Sequence, residues 1–269
     1  MHVDTQEKEK TVHFMASLAA AILKLAVEFA ASGAAWEQIA LRWIHIFAGI
    51  AWVGTIYFMA VVVMPAMMKF DPAMRGKVAL GLMPRAAWVG RFGALVTWLA
   101  GFRYFMIYAQ SDAANAGDPG LAWRWIEIWL ATWLVASAGI MGVLQTASKG
   151  FFARGPGIGI YTALLIAAAA KINLAYVAGP TTSNQTLCIS VGGGIGTVMF
   201  LAAWGIVWRC QKKLIRWTRA AVEQGTPMPP EAARVQQVLL KTVWVGCGLT
   251  IPMLFFMEAS SHFPFLWGK

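Results

Sequence analysis

The sequence predicts an all-α fold, a polytopic transmembrane helical bundle with about seven crossings. Of the 269 residues, 59% are hydrophobic and only 13% are charged, which is too apolar for an ordinary soluble domain. The apolar residues also lie in long, nearly uninterrupted runs, whereas the surface helices of a soluble all-helical protein carry polar faces. A third observation, the distribution of Lys and Arg between these runs, predicts their orientation.

Six apolar segments are long enough to cross a bilayer, which takes about 20 residues in a helix. They are 39–66, 87–109, 125–148, 158–178, 186–208 and 237–262. A seventh segment, 13–33, contains Lys24 and Glu28, which are spaced four apart and can pair on one helical face. This segment either crosses the membrane while facing other helices or lies along the membrane surface.

Lys and Arg are abundant in every second connection between the apolar segments and scarce in the others. With the amino-terminal tail, the connections of one side hold 15 Lys and Arg, and those of the other side hold three. The first set is 69–91, 149–157 and 209–234; the second is 34–42, 110–124, 179–185 and 263–269. Because cytoplasmic loops carry the excess of Lys and Arg, we expect a cytoplasmic amino terminus, seven crossings and an outward carboxyl terminus.

The charge and the cysteines exclude several classes of function. The net charge of +10 is spread between the apolar segments instead of forming one soluble basic face, so we expect membrane lipids as partners and no nucleic acid. The three cysteines stand far apart, with no C-x-x-C or C-x-x-C-H motif. The sequence therefore predicts no zinc ribbon, no redox pair and no covalently attached haem.

Ionisable side chains at membrane depth predict a polar site near the outer surface. Such groups are costly in lipid and by default face other helices, water or a ligand. We expect four of them to bind an anionic substrate: Arg103, Glu127, Lys171 and Glu258. The alternative is that those near helix ends extend to the interface, and that Lys171 and Glu258 pair with each other or with a partner subunit.

His45 is a candidate haem ligand. Its helical face continues at i+3, i+4 and i+7 with Ala48, Gly49 and Trp52, and the small residues leave room for a flat macrocycle. His262 is the other histidine in a spanning segment and the candidate second metal ligand. A haem bound in this way would be haem b. The alternative is that His45 only forms a hydrogen bond to a neighbouring helix across a tight contact.

The glycine-rich stretch "SVGGGIGTVMF", 190–200, predicts close helix packing. Gly192 and Gly196 have the G-x-x-x-G spacing of helix contacts, and the stretch lacks the Lys-Ser/Thr ending of a phosphate loop.

Two motifs resemble the membrane domain of the cytochrome c-linked urate hydroxylase family. "RWIHIFAGIAWVGTIYF" is similar to its first helix, and "LTIPMLFFMEASSHFPF" is similar to its Leu-Thr-Leu-Pro helix ending in His-Tyr-Pro. The matching positions are His45, Trp52, Gly54, Thr250, Pro252, His262 and Pro264. The resemblance implies a helical domain in a bacterial inner (cytoplasmic) membrane that oxidises urate and passes electrons to a cytochrome c domain.

The chain departs from that family in several places. Where the family carries further histidines, this chain has alanines (Ala86 and Ala87), three glycines from Gly192 to Gly194, and Val245. It also lacks the cytochrome c domain, so any electron acceptor would be a separate chain. We therefore divide the chain into 1–38, a tail with a probable extra membrane helix; 39–265, a degenerate urate-hydroxylase-like membrane domain; and 266–269, a tail.

Three functions follow in order of preference. The first is a redox-associated subunit of a larger membrane complex, with one haem and with other membrane or cytochrome subunits as partners. The second is a membrane oxidoreductase of the urate hydroxylase type that passes electrons to a separate cytochrome c. The third is a small-molecule transporter with Lys171 and Glu258 along the route, although paired Gly/Pro-interrupted helices are absent from the sequence.

Overall fold

The described part of the chain contains six long helices. The computed structural model describes residues 33–146 and 150–267, and Ser17 before them. Those residues contain no strand. We number the helices α1 (Gly33–Met67), α2 (Pro72–Asn115), α3 (Leu121–Thr146), α4 (Gly155–Val177), α5 (Asn184–Gln224) and α6 (Ala232–His262). Two short 3-10 turns are also described, Phe151–Ala153 before α4 and Pro264–Trp267 after α6.

All six helices are long and apolar enough to cross a membrane, which confirms the six predicted segments and the all-helical membrane fold. The predicted seventh segment, 13–33, lies almost entirely outside the described residues. Many large apolar side chains on the outer helix faces are exposed, such as Phe47 at 66% and Val135 at 74%. Exposed apolar faces of this kind are expected where lipid is the solvent.

Several predicted connections turn out to be helical. Residues 34–42 belong to α1, and most of 69–91 belongs to α2. The sequence predicts a connection over 209–234, but the structure leaves only 225–231 between α5 and α6. The last residue of α5 is Gln224, and Gly225, whose φ is 67°, follows it as the C-cap. Lys, Arg, Gln and Glu are good helix formers, so a helix continues beyond its apolar segment into a charged one. Hydropathy alone marks the end of the apolar segment and not the end of the helix.

The start of α2 shows how the sequence fixes one of these ends. Pro72 occupies the first helical turn, and the Asp71 carboxylate accepts hydrogen bonds from the backbone N–H groups of Ala73 and Met74, both at 3.0 Å. The hydrogen bond from Met74 is the main reason why the pKa of Asp71 lies below its ordinary value.

The central helix of the body Ile44–Lys269 is α5. In its most apolar 18-residue window 72% of residues are buried, against 22% to 33% in the other helices. Trp129 and Trp133 of α3 both donate their indole N–H to the Ser190 carbonyl of α5, at 2.7 and 3.2 Å. A Cβ at Gly194 would overlap the Trp133 indole, so the glycine lets this large ring pack against the helix.

The predicted glycine packing is confirmed on the side of α5 that contacts α6. A Cβ at Gly192 would lie 3.0 Å from Phe256 Cβ and 3.3 Å from the Met253 carbonyl oxygen. At Gly196 the nearest atom would be Met253 Sδ, at 3.7 Å. Gly192 is therefore the closer of the two contacts.

A buried carboxylate joins the end of α2 to the start of α5. Asp112, which is 4% exposed, accepts hydrogen bonds from Ser183 N at 2.8 Å and from Ser183 Oγ at 2.7 Å. The side-chain amide of Asn184, the residue after Ser183, donates to the carbonyls of Ala259 and Ser260, both at 2.8 Å. This network fixes the ends of α2, α5 and α6 close to the place where α6 presents His262.

Candidate functional site

His45 lies at the contact between α1 and α2. Its Nδ1 is 2.8 Å from the Thr97 carbonyl oxygen, and because a carbonyl only accepts, Nδ1 carries the proton. The imidazole is half-buried and lies against Gly101, where a Cβ would be 2.6 Å from both Nδ1 and Cε1. His45 thus forms a hydrogen bond to a neighbouring helix across a tight contact, as the alternative interpretation of its motif predicts.

The rest of the predicted face also contacts α2. A Cβ at Gly49 would lie 3.7 Å from the Thr97 methyl group. At Gly93 of α2, a Cβ would lie 3.2 Å from the Ala48 carbonyl oxygen and from the backbone N of Trp52. Trp52 is 3% exposed. Small residues on both helices therefore bring the two backbones close together, as the spacing of this face predicts.

His262 has its partner on its own helix. It is exposed near the end of α6, where its Nδ1 lies 3.1 Å from Glu258 Oε1 and 3.2 Å from the Glu258 carbonyl oxygen. No interaction between His262 and His45 is found in the described part of the chain. Over residues 33–146 and 150–267, no three His, Cys, Asp or Glu side chains form a group that could hold a metal ion.

The predicted substrate-binding residues lie on four helices. Glu127 on α3, Lys171 on α4 and Glu258 on α6 are exposed, and Arg103 on α2 is half-buried and has contacts of its own. Glu258 pairs with His262 and not with Lys171. Neither Glu127 nor Lys171 takes part in an ion pair within the described residues. Of the six ionisable residues predicted for the site, the structure brings Glu258 and His262 into contact.

The two motifs that carry the family resemblance meet in the structure. Tyr57, in the first motif, has its hydroxyl 2.6 Å from Thr250 Oγ1 in the second. The same hydroxyl lies 3.0 Å from the Cys247 carbonyl oxygen, one turn earlier in α6. α1 and α6 are therefore linked by polar contacts between the two stretches.

A cavity of about 100 Å³ lies between α1, α2, α3, α5 and α6. Trp52 lines it, and it is the one predicted site residue to do so. The lining is largely apolar and also includes Arg91 and Gln211. The sequence interpretation placed Arg91 in a cytoplasmic connection, and no local pattern marks it as a cavity residue, because its neighbours there come from distant parts of the chain.

Comparison with known proteins finds no matching family model, no matching curated protein and no matching solved structure. The likeness to the urate hydroxylase membrane domain therefore rests on the two quoted motifs and stays a prediction.

Proposed function

We propose that this protein is a redox-associated subunit of a larger membrane complex, built on the scaffold of the urate hydroxylase membrane domain, and that His45 ligates one haem b. The supporting observation is the hydrogen bond from His45 Nδ1 to the Thr97 carbonyl. Metal-ligating histidines commonly donate their other ring N–H to a carbonyl or carboxylate, which fixes the tautomer. Here it leaves Nε2 unprotonated and able to bind iron.

The surroundings of His45 fit a haem at the surface of the bundle better than one in its interior. The half-buried imidazole is in contact with Gly101, and its sequence neighbours Ile44, Ile46 and Phe47 are 40%, 51% and 66% exposed, so this segment of α1 lies at the surface of the bundle. A haem on this outer face would lie between α1 and a partner subunit. When bound, it would supply one-electron transfer, while His45 would hold the iron and Thr97 would fix the imidazole orientation.

A visible spectrum of the purified full chain tests the haem. We expect a Soret band in the wild type that is lost in His45→Ala. The same measurement on His262→Ala locates the second ligand. A lost or shifted band assigns it to His262, and an unchanged band assigns it to a partner subunit or leaves the iron with one protein ligand. A wild-type protein that is extracted from haem-replete cells in a mild detergent together with its partner subunits and that shows no Soret band would overturn the haem assignment.

Gentle solubilisation tests the subunit assignment separately. We expect redox chains to co-purify with this protein at fixed stoichiometry after extraction in a mild detergent. A chain that elutes alone under conditions that preserve other respiratory complexes would count against membership of a complex. Electron transfer from urate to added cytochrome c by the protein on its own would instead favour the oxidoreductase alternative.

We also propose that the amino terminus is cytoplasmic, that the chain crosses a bacterial inner membrane seven times, and that the carboxyl terminus faces outward. The alternation of Lys and Arg between the connections supports this orientation. Single cysteines in a background without the native ones test it with a membrane-impermeant maleimide. Ala116→Cys should react in intact cells, and Thr226→Cys and Thr5→Cys only after lysis. Reaction of both Thr5→Cys and Ala116→Cys in intact cells would exclude seven crossings, because three crossings between these residues put them on opposite sides of the membrane.

A further inference from the structure

Arg91 is half-buried, and within the described residues no carboxylate neutralises its charge. Its guanidinium carbon lies 3.7 Å from the ring centroid of Trp208, 4.6 Å from that of Phe92 and 5.6 Å from that of Trp204. Its Nε is buried without a hydrogen-bond partner, and within the described residues Arg91 takes part in no ion pair. The aromatic rings offset part of the cost of desolvating the guanidinium, but they leave the buried Nε–H donor unused.

The neighbourhood of Arg91 contains further positive charge and a second unused donor. The indole Nε1 of Trp204 is also buried without a hydrogen-bond partner. Lys212 Nζ lies 5.2 Å from the centroid of the same Trp208 ring that Arg91 covers. None of the described residues that line the adjoining cavity is acidic. The cluster is therefore rich in donors and positive charge and poor in acceptors.

Arginines near a membrane surface often extend their charged end into water, but this does not explain the contacts of the Arg91 guanidinium. An arginine that extends in this way buries its methylene groups and keeps its charged head in water. In Arg91 the Nε of the head itself is buried, and the guanidinium is stacked on Trp208. The position of the head beside a cavity points to a ligand that completes its hydrogen bonds.

The cavity beside Arg91 suits an apolar group. Its walls include Ile56, Met59, Ile140, Leu144 and Val198. Since one water needs about 10–15 Å³ of such space, the volume of about 100 Å³ accepts several heavy atoms. An occupant with an apolar body and an oxygen at one end would fill the cavity and meet the guanidinium.

Two π-helical segments of the described residues border this cavity. Met59 belongs to the π-helical part of α1, Phe58–Val63, and Ala203 and Val207 belong to that of α5, Ala203–Val207. Trp208, which stacks on Arg91, follows the second segment directly. Single π-helical turns within α-helices are frequent at functional sites, and here both contribute lining residues to the same cavity.

We propose that this cavity binds an amphipathic anion, with a carboxylate or phosphate oxygen on Arg91 and a short stretch of acyl chain among the apolar residues. Two sources share this chemistry, a free fatty acid and an anionic phospholipid. The site is separate from His45 and from the proposed haem, and neither is needed for the binding.

Photo-crosslinking of the purified full chain tests the proposal without any substitution. The probes are an eight-carbon carboxylate that carries a diazirine and the alcohol of the same chain length. We expect the carboxylate to label the segments around Ile140 and Val198, and the alcohol to label them about ten-fold less, because the charged hydrogen bond is lost. Equal labelling by the two probes would overturn the proposal.

Substitutions of two arginines on α2 test whether the positive charge that binds the carboxylate probe is that of Arg91. Arg91→Gln should reduce labelling by the carboxylate about ten-fold or more, to the level of the alcohol. Arg85→Gln, which removes the same charge from an exposed position on the same helix, should leave labelling unchanged. Full labelling of a folded Arg91→Gln protein would contradict the proposal. If that variant does not fold, the comparison of the two probes on the wild type decides.

Competition separates the two sources of the anion. Unlabelled octanoate that suppresses labelling supports a free carboxylate as occupant, and phosphatidylglycerol vesicles that suppress it support a phospholipid headgroup. Phosphatidylcholine vesicles serve as the zwitterionic control. Failure of both anions to compete, or equal competition by phosphatidylcholine, would overturn a site selective for anions.

Discussion

The imidazole of His45 lies directly against Gly101, so close that a Cβ at residue 101 would be 2.6 Å from Nδ1 and Cε1 of the ring. The glycine therefore decides whether His45 can reach the Thr97 carbonyl one helical turn away. The pattern around His45 predicts small residues beside the ring on α1. The glycine that matters most for its position stands on α2.

Gly101→Ala should displace the His45 ring and break its hydrogen bond to Thr97. We expect a loss of about 1–3 kcal/mol in the free energy of unfolding, as for other overpacked sites. Urea or thermal unfolding in detergent measures it. Gly54→Ala on α1 is the matched control, because its Cβ would meet nothing within 4 Å. Equal unfolding midpoints for the two variants would show that the ring is not held as the structure has it.

Tyr57→Phe removes the hydroxyl that links α1 to Thr250 and the Cys247 carbonyl of α6. We expect the free energy of unfolding to fall by about 0.5–1.5 kcal/mol, the usual net contribution of a hydrogen bond. Tyr176→Phe, at a side chain 60% exposed, is the control and should change little. If both substitutions have the same effect, the contact between the two family-like motifs contributes no stability.

Gly194→Ala should destabilise the protein more than Gly196→Ala, although both glycines lie on α5 two residues apart. At Gly194 the new methyl group would overlap the Trp133 indole, and at Gly196 the nearest atom would be Met253 Sδ at 3.7 Å. We expect about 1–3 kcal/mol for the first and less than about 1 kcal/mol for the second. Intrinsic tryptophan fluorescence followed through unfolding gives both values. The reverse order would contradict the packing of α3 on α5.

Asp112→Ala should destabilise the protein by about 1–3 kcal/mol, because it removes the carboxylate that accepts from both the backbone N–H and the hydroxyl of the half-buried Ser183. A double-mutant cycle with Ser183→Ala isolates the side-chain part of this pair. Asp118→Ala is the control, since Asp118 pairs with Arg124 at an exposed position where ion pairs contribute little. Additive effects of Asp112→Ala and Ser183→Ala would mean that the two side chains are not coupled.

Much of the fold could be predicted because a membrane span is a local property. Each of the six apolar segments is recognisable from about 20 consecutive residues, and the described part of each lies in a helix of the structure, except for Ala178 just after α4. The glycine spacing of α5 and the small residues around His45 were likewise visible, since helical periodicity places them on one face. The ends of the helices were not visible, because α5 continues through the basic segment to Gln224.

The site could be predicted only in part. His45 and Trp52 lie where their motif places them, facing α2, and Glu258 contacts His262 because the two are four residues apart on one helix. Side-chain pairs between different helices could not be predicted from the sequence. The expected alternative pair, Lys171 with Glu258, depends on how α4 and α6 are rotated, and no periodicity within one helix fixes that rotation.

By itself the sequence determined that this protein is a helical membrane protein, and which residues of each helix share a face, since both follow from hydropathy and the 3.6-residue period. The tertiary structure alone decided which faces meet. It placed Arg91 on Trp208, more than a hundred residues later in the chain, and Trp129 and Trp133 on Ser190. Such contacts depend on side-chain volume and hydrogen bonding between helices, and in lipid those forces, more than hydrophobicity, select the neighbours of each helix.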